Sequence, residues 1–274
     1  MREDRFLVKN KLHIQNLGSS SSGNSTLLWS ADSAILIDIG FSQRYTLQQL
    51  ADIGIDFASL NGILITHLHG DHINRATLNL AIKSGIPVWF HANLYKTLRY
   101  RFKVKESPVF KTFQDEPFEI AEFKISGFEV PHDSAGGCYG YNIFAGTRKV
   151  TIATDLGYSD NGIIQNFKDS NLIIIESNHD VRMLSESGRP QVLIKRIVDS
   201  GHLSNEQCVS FLDQVFTSSS KQPEALLLAH LSAECNLPEL AERGARNLLE
   251  RHDLNRTLLQ VLKKNEPSET ITLE

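Results

Sequence analysis

Ile63-Leu64-Ile65-Thr66-His67-Leu68-His69-Gly70-Asp71-His72 is the stretch that decides the fold. Its apolar start predicts a buried strand, and four side chains that can bind metals follow within six residues. Imidazole and carboxylate groups at this spacing can be placed on more than one side of a small pocket. We therefore predict a metal site, and two divalent ions sharing one pocket would explain why all four side chains are needed.

The composition is typical of a globular protein without a membrane-spanning segment. Of 274 residues, 41% are hydrophobic and 22% are charged, and no stretch of about eighteen apolar residues occurs. The first residues, MREDRF, carry acidic groups and do not resemble a secretory signal. Three widely spaced cysteines predict reduced thiols and a cytoplasmic location. The formal net charge of -4 argues against a broadly basic nucleic-acid coat, although a local basic patch stays compatible with it.

Short β-rich runs and a few helices predict an α/β fold with two packed sheets and helices outside. Helices are predicted over residues 43–53, 74–83, 203–216 and 237–249. We predict one domain spanning residues 1–274, with a polar, frayed tail from about residue 265. Strands are predicted over residues 11–17, 26–29, 34–38, 63–65, 88–90, 109–113, 118–120, 122–130, 140–144, 149–154, 172–176 and 225–230.

His132, Asp155 and His230 are three further ligand candidates, and each follows a predicted strand. Polar residues at strand ends can converge on one edge of a sheet, where loops expose them to substrate. Seven ligands suit two metals, as two sets of three joined by one shared carboxylate. Such a pair activates a bridging water and neutralises an oxyanion or a phosphate.

The run from His67 to His72, followed by His132, Asp155 and His230, resembles the motif set of the metallo-β-lactamase superfamily. The resemblance implies a four-layer αββα sandwich. It also implies the metal ligands: His67, His69 and His132 for one ion, Asp71, His72 and His230 for the other, with Asp155 bridging. Asp38 matches the superfamily's aspartate that orients a ligand; alternatively it caps a turn after its strand. Zn²⁺, Mn²⁺ and Fe²⁺ all suit such a site, and the choice among them stays open.

Four further segments resemble the YycJ/WalJ family, and the match spans roughly residues 12–250. They are residues 18–25 (GSSSSGNS), 176–180 (ESNHD), 201–205 (GHLSN) and 229–232 (AHLS). Proteins of this family are described as single-domain metal-dependent nucleases with 5′→3′ exonuclease activity on DNA. The resemblance therefore implies a two-metal hydrolase of phosphodiester bonds in nucleic acid, with a metal-bridging hydroxide as the nucleophile.

His202 resembles the histidine that the related tRNA-processing nucleases use near the scissile phosphate, and Glu176 resembles the carboxylate that orients it. An imidazole polarised by a carboxylate can stay protonated near neutral pH and give a proton to a leaving oxygen. Asp71 could in addition hold the attacking water. His202 has a second interpretation, as a loop histidine before a helix that Ser204 caps.

The remaining polar candidates have two interpretations each. His179 and Asp180 touch substrate or brace the edge of the site, or they simply hold a loop. Ser19, Ser20 and Asn24 lie in a segment that could bind a phosphate through hydroxyl and N–H groups. Equally, they could belong to a plain hairpin turn.

A basic and aromatic stretch, residues 95–105, contains the candidate nucleic-acid contacts Arg99, Tyr100, Arg101 and Lys103. Basic residues interleaved with aromatic ones suit a nucleic-acid strand, through phosphate contacts and base stacking. The same pattern is compatible with a helix end that has a solvated basic face.

Nucleic acid is the predicted partner, and DNA is favoured over RNA. We find no counterpart of the long arm with which tRNA-processing relatives grip their substrate. About seventy-five residues between Asp155 and His230 leave no room for the large insert of the β-CASP nucleases. The alternatives are an RNA-processing nuclease and a small-molecule metallohydrolase such as a lactonase, thioesterase or cyclic phosphodiesterase, because fold and metals do not choose the substrate. No membrane partner is expected, and monomer and homodimer are both open.

Overall fold

A computed structural model describes residues 11–274 and contains two seven-stranded sheets. The strands of the first sheet are β1 (Leu12–Ser20), β2 (Gly23–Trp29), β3 (Ala34–Ile37), β4 (Gly62–Leu64), β5 (Val88–His91), β6 (Phe110–Phe113) and β14 (Ile271–Leu273). Their order across the sheet is β14-β1-β2-β3-β4-β5-β6.

The second sheet is built from the later part of the chain. Its strands are β7 (Phe118–Ile120), β8 (Phe123–Val130), β9 (Cys138–Ala145), β10 (Arg148–Ala153), β11 (Leu172–Glu176), β12 (Ala225–Ala229) and β13 (Leu258–Val261). Their order across the sheet is β13-β12-β11-β10-β9-β8-β7.

Each sheet contains a block of parallel strands, and these blocks position the candidate site. Strands β3 to β6 are parallel neighbours in the first sheet, and β10 to β13 are parallel neighbours in the second. Strands β3, β11 and β12 are buried along their whole length, as expected for parallel strands covered on both faces. Because the carboxyl ends of parallel strands share one edge of their sheet, the residues that follow β10 and β12 come close together, as do those that follow β3 and β4.

The four helices that the sequence predicts are present within one or two residues at each end. Ser42 caps the first helix and Asn74 the second, and each ends at a glycine with left-handed backbone, Gly54 and Gly85. No helix in residues 11–274 is long and apolar enough to cross a membrane. The helices are α1 (Gln43–Ile53), α2 (Arg75–Ser84), α3 (Tyr95–Phe102), α4 (Asn161–Phe167), α5 (Val181–Ser185), α6 (Gln191–Arg196), α7 (Asn205–Ser218) and α8 (Pro238–Arg251).

The core divides into two apolar clusters that define the layers. Leu172 and Ile174 of β11 belong to the cluster between the two sheets. Ile173 and Ile175 of the same strand belong to a cluster that includes Phe211 of α7. Successive residues of a strand face opposite sides of its sheet, so β11 packs on the other sheet with one face and on helices with the other. The predicted αββα sandwich is confirmed.

The prediction of a frayed tail from about residue 265 is wrong. Residues 271–273 form β14, which pairs antiparallel with β1 and buries Ile271 and Leu273. Three residues of alternating apolar and polar character are too short to identify as a strand, and the pairing partner lies more than 250 residues earlier in the chain. That residues 1–274 form one domain stays a prediction, which the cluster shared by both sheets supports.

Candidate metal centre

Three candidate ligand or orienting residues lie one or two residues after the end of a strand, and all three have a left-handed backbone. Asp38 follows β3 with φ of 60°, Asp155 follows β10 with φ of 60°, and His230 follows β12 with φ of 56°. Positive φ is uncommon outside glycine, and aspartate and histidine are among the residues that tolerate it best. The left-handed turn ends each strand abruptly and directs these side chains to the shared edge of the sheets.

One group of three imidazoles lies at this edge. His67 follows β4 and is fully buried, and its Nε2 lies 3.0 Å from Nδ1 of His69. His132 follows β8, and its Nε2 lies 3.2 Å from the same Nδ1. The ligand atoms of these three residues lie within 4.8 Å of one another, so they could hold one metal ion.

A second group contains Asp71, His72 and His230. Oδ2 of Asp71 lies 3.3 Å from Nε2 of His230 and 3.5 Å from Nε2 of His72. These ligand atoms also lie within 4.8 Å of one another. The first half of the chain supplies two members and the second half supplies one.

Asp155 lies between the two groups. Its Oδ1 is 3.6 Å from Nε2 of His132, and its Oδ2 is 2.9 Å from Nε2 of His72. That Oδ2 is buried, and its contact with His72 does not have the geometry of a hydrogen bond. A buried carboxylate oxygen without a hydrogen bond is costly, whereas a shared metal ligand needs this placement. The donor set therefore fits two divalent ions with a carboxylate between them.

The charge balance of the cluster supports the same fit. Burial works against the charged form of Asp155, but His230 and His72 hold its pKa well below the usual value. Burial also works against a charge on His72, but Asp155 and Asp38 raise its pKa well above the usual value. The pKa of His230 rises to about 10, although burial opposes it, because Asp155 and Asp71 lie beside it. The buried carboxylates thus require positive charge, which protons or metal ions can supply.

Asp38 contacts a candidate ligand of the second group. Its Oδ2 lies 2.7 Å from Nδ1 of His72 and accepts a hydrogen bond from Oγ1 of Thr66 at 2.8 Å. Its Oδ1 accepts a hydrogen bond from the backbone N–H of Thr66. With Nδ1 of His72 engaged in this way, Nε2 faces the cluster. The contacts are those expected of the orienting aspartate rather than of a turn cap.

Glu176, at the end of β11, is fully buried and contacts two histidines. Its Oε2 lies 3.0 Å from Nδ1 of His202 and 2.9 Å from Nδ1 of His230. The backbone N–H groups of Asp155 and Leu203 also donate to its carboxylate. Burial disfavours the charged form, but His202 and His230 lower the pKa of Glu176 to about 2. The sequence predicts the contact with His202 but not the contact with His230.

Both interpretations of His202 describe real contacts. Ser204 caps α7 in a capping box with Gln207, and His202 lies just before this cap. Its ring is nevertheless 22% exposed and pairs with Glu176. Burial alone would lower the pKa of His202, but Glu176 raises it above the usual value. Glu176 therefore favours the protonated form of the imidazole.

The serine-rich segment is a hairpin that contacts two of the candidate ligands. Ser21 and Ser22 form the turn between β1 and β2, while the side chains of Ser19, Ser20 and Asn24 are buried. Oγ of Ser19 accepts a hydrogen bond from the backbone N–H of His230 at 2.8 Å, and Nδ2 of Asn24 lies 3.1 Å from Nε2 of His72. The geometry therefore favours the hairpin interpretation over a phosphate-binding loop.

A cavity of about 230 Å³ opens onto the cluster. Several of its walls come from residues that sequence reasoning did not select, above all Arg196 and Leu193 of α6. A Lys-Arg pair six residues before His202 is the signal that could have drawn attention to this segment. The walls are Ser21, His69, Asp71, His132, Asp133, Asp155, Leu193, Arg196, Ile197, Gly201, His202 and His230.

Comparison with known proteins identifies the family. The family described as Beta-lactamase superfamily domain matches residues 33–230. The chain is 30% identical over 243 residues to the exodeoxyribonuclease YycJ of Bacillus anthracis, covering 87% of this chain and 89% of that protein. It belongs to the metallo-β-lactamase superfamily, as a YycJ/WalJ-like member.

Two further relatives of this YycJ/WalJ-like protein agree with the assignment. It is 31% identical over 244 residues to the exodeoxyribonuclease WalJ of Streptococcus pneumoniae, covering 87% of this chain and 88% of that protein. The metallo-β-lactamase fold protein YhfI of Bacillus subtilis matches its structure with a TM-score of 0.71 at 16% identity, covering 96% of this chain and 100% of YhfI. The YycJ/WalJ-like protein is a metal-dependent hydrolase.

Four predicted contacts with nucleic acid lie on or after α3, and none of them lines the cavity described above. Tyr100 is 88% exposed, and the guanidinium of Arg99 lies over the ring of Tyr95. Phe102 belongs to the core, so only part of the aromatic pattern is available to a nucleic-acid strand. Arg101 lies in the last turn of α3, and Lys103 ends it with a left-handed backbone. That Arg99, Tyr100, Arg101 and Lys103 contact nucleic acid stays a prediction.

His179 and Asp180 have contacts that favour the loop interpretation. The side chain of Asp180 caps α5, and the backbone of His179 pairs with Ser204. His179 is buried, and its Nδ1 has no hydrogen-bond partner within residues 11–274. Neither side chain is among the walls of the cavity.

Proposed function

We propose that this YycJ/WalJ-like protein is a two-metal nuclease that cleaves phosphodiester bonds in nucleic acid, specifically a 5′→3′ DNA exonuclease. One observation carries the proposal: a histidine oriented by a buried carboxylate, His202 on Glu176, borders the same cavity as the candidate metal ligands. This pair can supply the proton that a phosphodiester leaving oxygen needs. The relatives named exodeoxyribonuclease support DNA over RNA.

The two groups of side chains would hold the two ions. We assign His67, His69 and His132 to one ion, and Asp71, His72 and His230 to the other, with Asp155 shared. Divalent ions bound there would polarise the phosphoryl oxygen and supply a water nucleophile at neutral pH. Zn²⁺ and Mn²⁺ suit the imidazole and carboxylate donors, and Fe²⁺ would suit them as well.

The chain's own residues then have separate tasks. Asp71 accepts a hydrogen bond from the attacking water and holds it in line with the phosphorus. His202 donates a proton from Nε2 to the leaving oxygen, because Glu176 already engages its Nδ1. Glu176 keeps the imidazole charged, which agrees with the raised pKa of His202.

The location we propose is the cytoplasm. Cys138, Cys208 and Cys235 are all buried free thiols. Unpaired cysteines are usual in a reducing compartment and uncommon in secreted proteins. The oligomeric state, monomer or homodimer, carries no part of the proposed mechanism.

The test is a cleavage assay with the purified protein and Mn²⁺ or Zn²⁺. The substrates are end-labelled single- and double-stranded DNA and RNA, each with and without a 5′-phosphate, with a lactone and a thioester beside them. We expect metal-dependent shortening of DNA from its 5′ end. Preferred cleavage of RNA would overturn the DNA assignment, and turnover confined to the lactone or thioester would overturn the nuclease proposal.

A further inference from the structure

A short segment of the second half, α6 followed by a π-helical turn, forms one wall of the cavity. We call residues 191–201 the wall segment. No side chain of α6 is buried, yet Leu193, Arg196 and Ile197 all line the cavity. These positions are spaced i, i+3 and i+4, so they share one face of the helical segment. This face is directed at the cavity rather than at the protein core.

The C-terminal end of the wall segment contacts the candidate metal centre. The backbone carbonyl of Gly201 lies 2.9 Å from Nδ1 of His132. The backbone N–H of His202 donates to the carbonyl of Ile197 at 3.0 Å. These two contacts, both made by backbone carbonyls of the wall segment, hold the backbone after Arg196 close to His132 and His202. π-Helical turns are rare and occur frequently at functional sites.

Arg196 contributes the one ammonium or guanidinium group among the described walls of the cavity. It pairs with Asp133, the residue after His132, at 2.6 Å, and both side chains are more than half exposed. An exposed ion pair contributes little free energy, so Arg196 can exchange Asp133 for another anion at small cost. The neighbouring Lys195 pairs with Asp199 instead and does not line the cavity.

We propose that Arg196 binds the backbone phosphate that flanks the scissile phosphate, and thereby selects polynucleotides over small esters. This inference rests on the proposed nuclease function. The ions would neutralise the scissile phosphate, but the flanking phosphate needs a separate cationic partner, and a guanidinium forms paired hydrogen bonds to phosphate. A lactone, thioester or cyclic diester has no second phosphate, whereas the terminal linkage of a DNA strand has one on its 3′ side. Asp133 holds Arg196 in place until substrate arrives.

The test is a cycle of two changes, one in the protein and one in the substrate. Arg196→Ala is compared with wild type on a DNA oligonucleotide and on one that carries a neutral methylphosphonate at the second linkage from the 5′ end, beside the terminal scissile bond. We expect Arg196→Ala to lower kcat/KM on unmodified DNA by about tenfold or more. The methylphosphonate should lower kcat/KM of wild type by a similar factor and that of Arg196→Ala by much less, because both changes remove the same contact.

Lys195→Ala is the matched control, since it removes a neighbouring positive charge outside the cavity. Its kcat/KM should stay within about twofold of wild type. Arg196→Lys should recover only part of the loss, because lysine keeps the charge but not the planar fork. The inference would be overturned, and the nuclease function would stand, if Arg196→Ala had the same kcat/KM as Lys195→Ala. The same would follow if the losses of kcat/KM from Arg196→Ala and from the methylphosphonate were independent and multiplied. If wild type cleaved no nucleic acid, the proposed function and the inference would both be overturned.

Discussion

Each half of the molecule supplies one buried carboxylate that orients histidines, but the two carboxylates serve different partners. Asp38, after β3, contacts one candidate ligand, His72, at 2.7 Å. Glu176, at the end of β11, contacts the candidate ligand His230 at 2.9 Å and the proposed proton donor His202 at 3.0 Å. The first carboxylate is thus connected to metal binding alone, whereas the second connects metal binding with proton transfer.

The difference follows from where the partners lie in the chain. The first half places its candidate ligands in one loop after β4, within reach of a single carboxylate. The second half supplies its candidate ligands one at a time, from the ends of β8, β10 and β12, and it supplies His202 from the loop before α7. A central strand such as β11 is the position from which one side chain can reach several of these loops. A defect at Asp38 should therefore be repaired by excess metal, and a defect at Glu176 should not.

Asp71→Ala is the largest expected effect and tests whether the first half contributes more than metal binding. We expect turnover to fall by about 10³-fold or more even at saturating metal, because the attacking water loses its acceptor. The fold should persist, since the Asp71 side chain lies in a loop and is 19% exposed. Single-turnover DNA cleavage and thermal unfolding check both points. Asp52→Ala, an exposed carboxylate on α1, is the matched control, and wild-type rates in Asp71→Ala would contradict the two-metal mechanism.

His202→Ala tests the proton-transfer task of the second half. We expect kcat to fall by about 10²- to 10³-fold, with metal content unchanged by elemental analysis. The alternative is concrete, because His202 also lies within a group with Asp155, Glu176 and His230 that could hold a metal ion. Loss of metal in His202→Ala would make His202 a ligand. The control is His252→Ala, which removes a histidine that pairs with Asp213 away from the centre.

The two halves also differ in how much of them the sequence predicts. The loop from His67 to His72 could be identified because its candidate ligands are contiguous in the chain. The contact of Glu176 with His230 could not, because it depends on the pairing of β11 with β12, which aligns Glu176 with Ala229 and so brings it beside His230. Strand pairing across more than fifty residues is a tertiary choice that no local pattern encodes.

The wall segment was missed for a different reason. Helix α6 buries no side chain, so it lacks the apolar stripe from which helices are usually identified. Its role depends on lying over the cavity, and only the folded chain shows that. Strands β1 to β12, the four long helices and two packed sheets with helices outside were predictable, because burial on regular faces leaves a period in the sequence. Strands β13 and β14 were not predicted.

Glu176→Gln and Asp38→Asn compare the two orienting carboxylates directly. Both should weaken metal binding by about 10- to 100-fold, because each removes the charge behind a candidate ligand. Excess metal should restore kcat in Asp38→Asn, whereas Glu176→Gln should stay about tenfold slower, because His202 loses the group that keeps it protonated. Metal titrations that follow binding and cleavage separately distinguish the effect on metal affinity from the effect on kcat. Equal recovery of kcat by excess metal in the two variants would contradict the proposal that Glu176 serves both metal binding and proton transfer.

The smallest effect is the proton release that accompanies metal binding. The pKa of His230 is raised to about 10, and that of His72 lies well above its usual value. Both rings are therefore protonated near pH 7 without metal, and binding through Nε2 must displace a proton from each. Metal affinity should accordingly fall as the pH falls.

Calorimetry of the metal-free protein in buffers of different ionisation enthalpy measures the number of protons. We expect about one for each oriented histidine. Asp38→Asn should reduce the number of protons released from His72, and Glu176→Gln should reduce the number released from His230. In each variant the histidine loses the nearby negative charge that favours its protonated form. Asp213→Asn, beside His252, should leave the number unchanged. A binding enthalpy that did not depend on the buffer would contradict the prediction that His72 and His230 are protonated in the metal-free protein and lose a proton when metal binds.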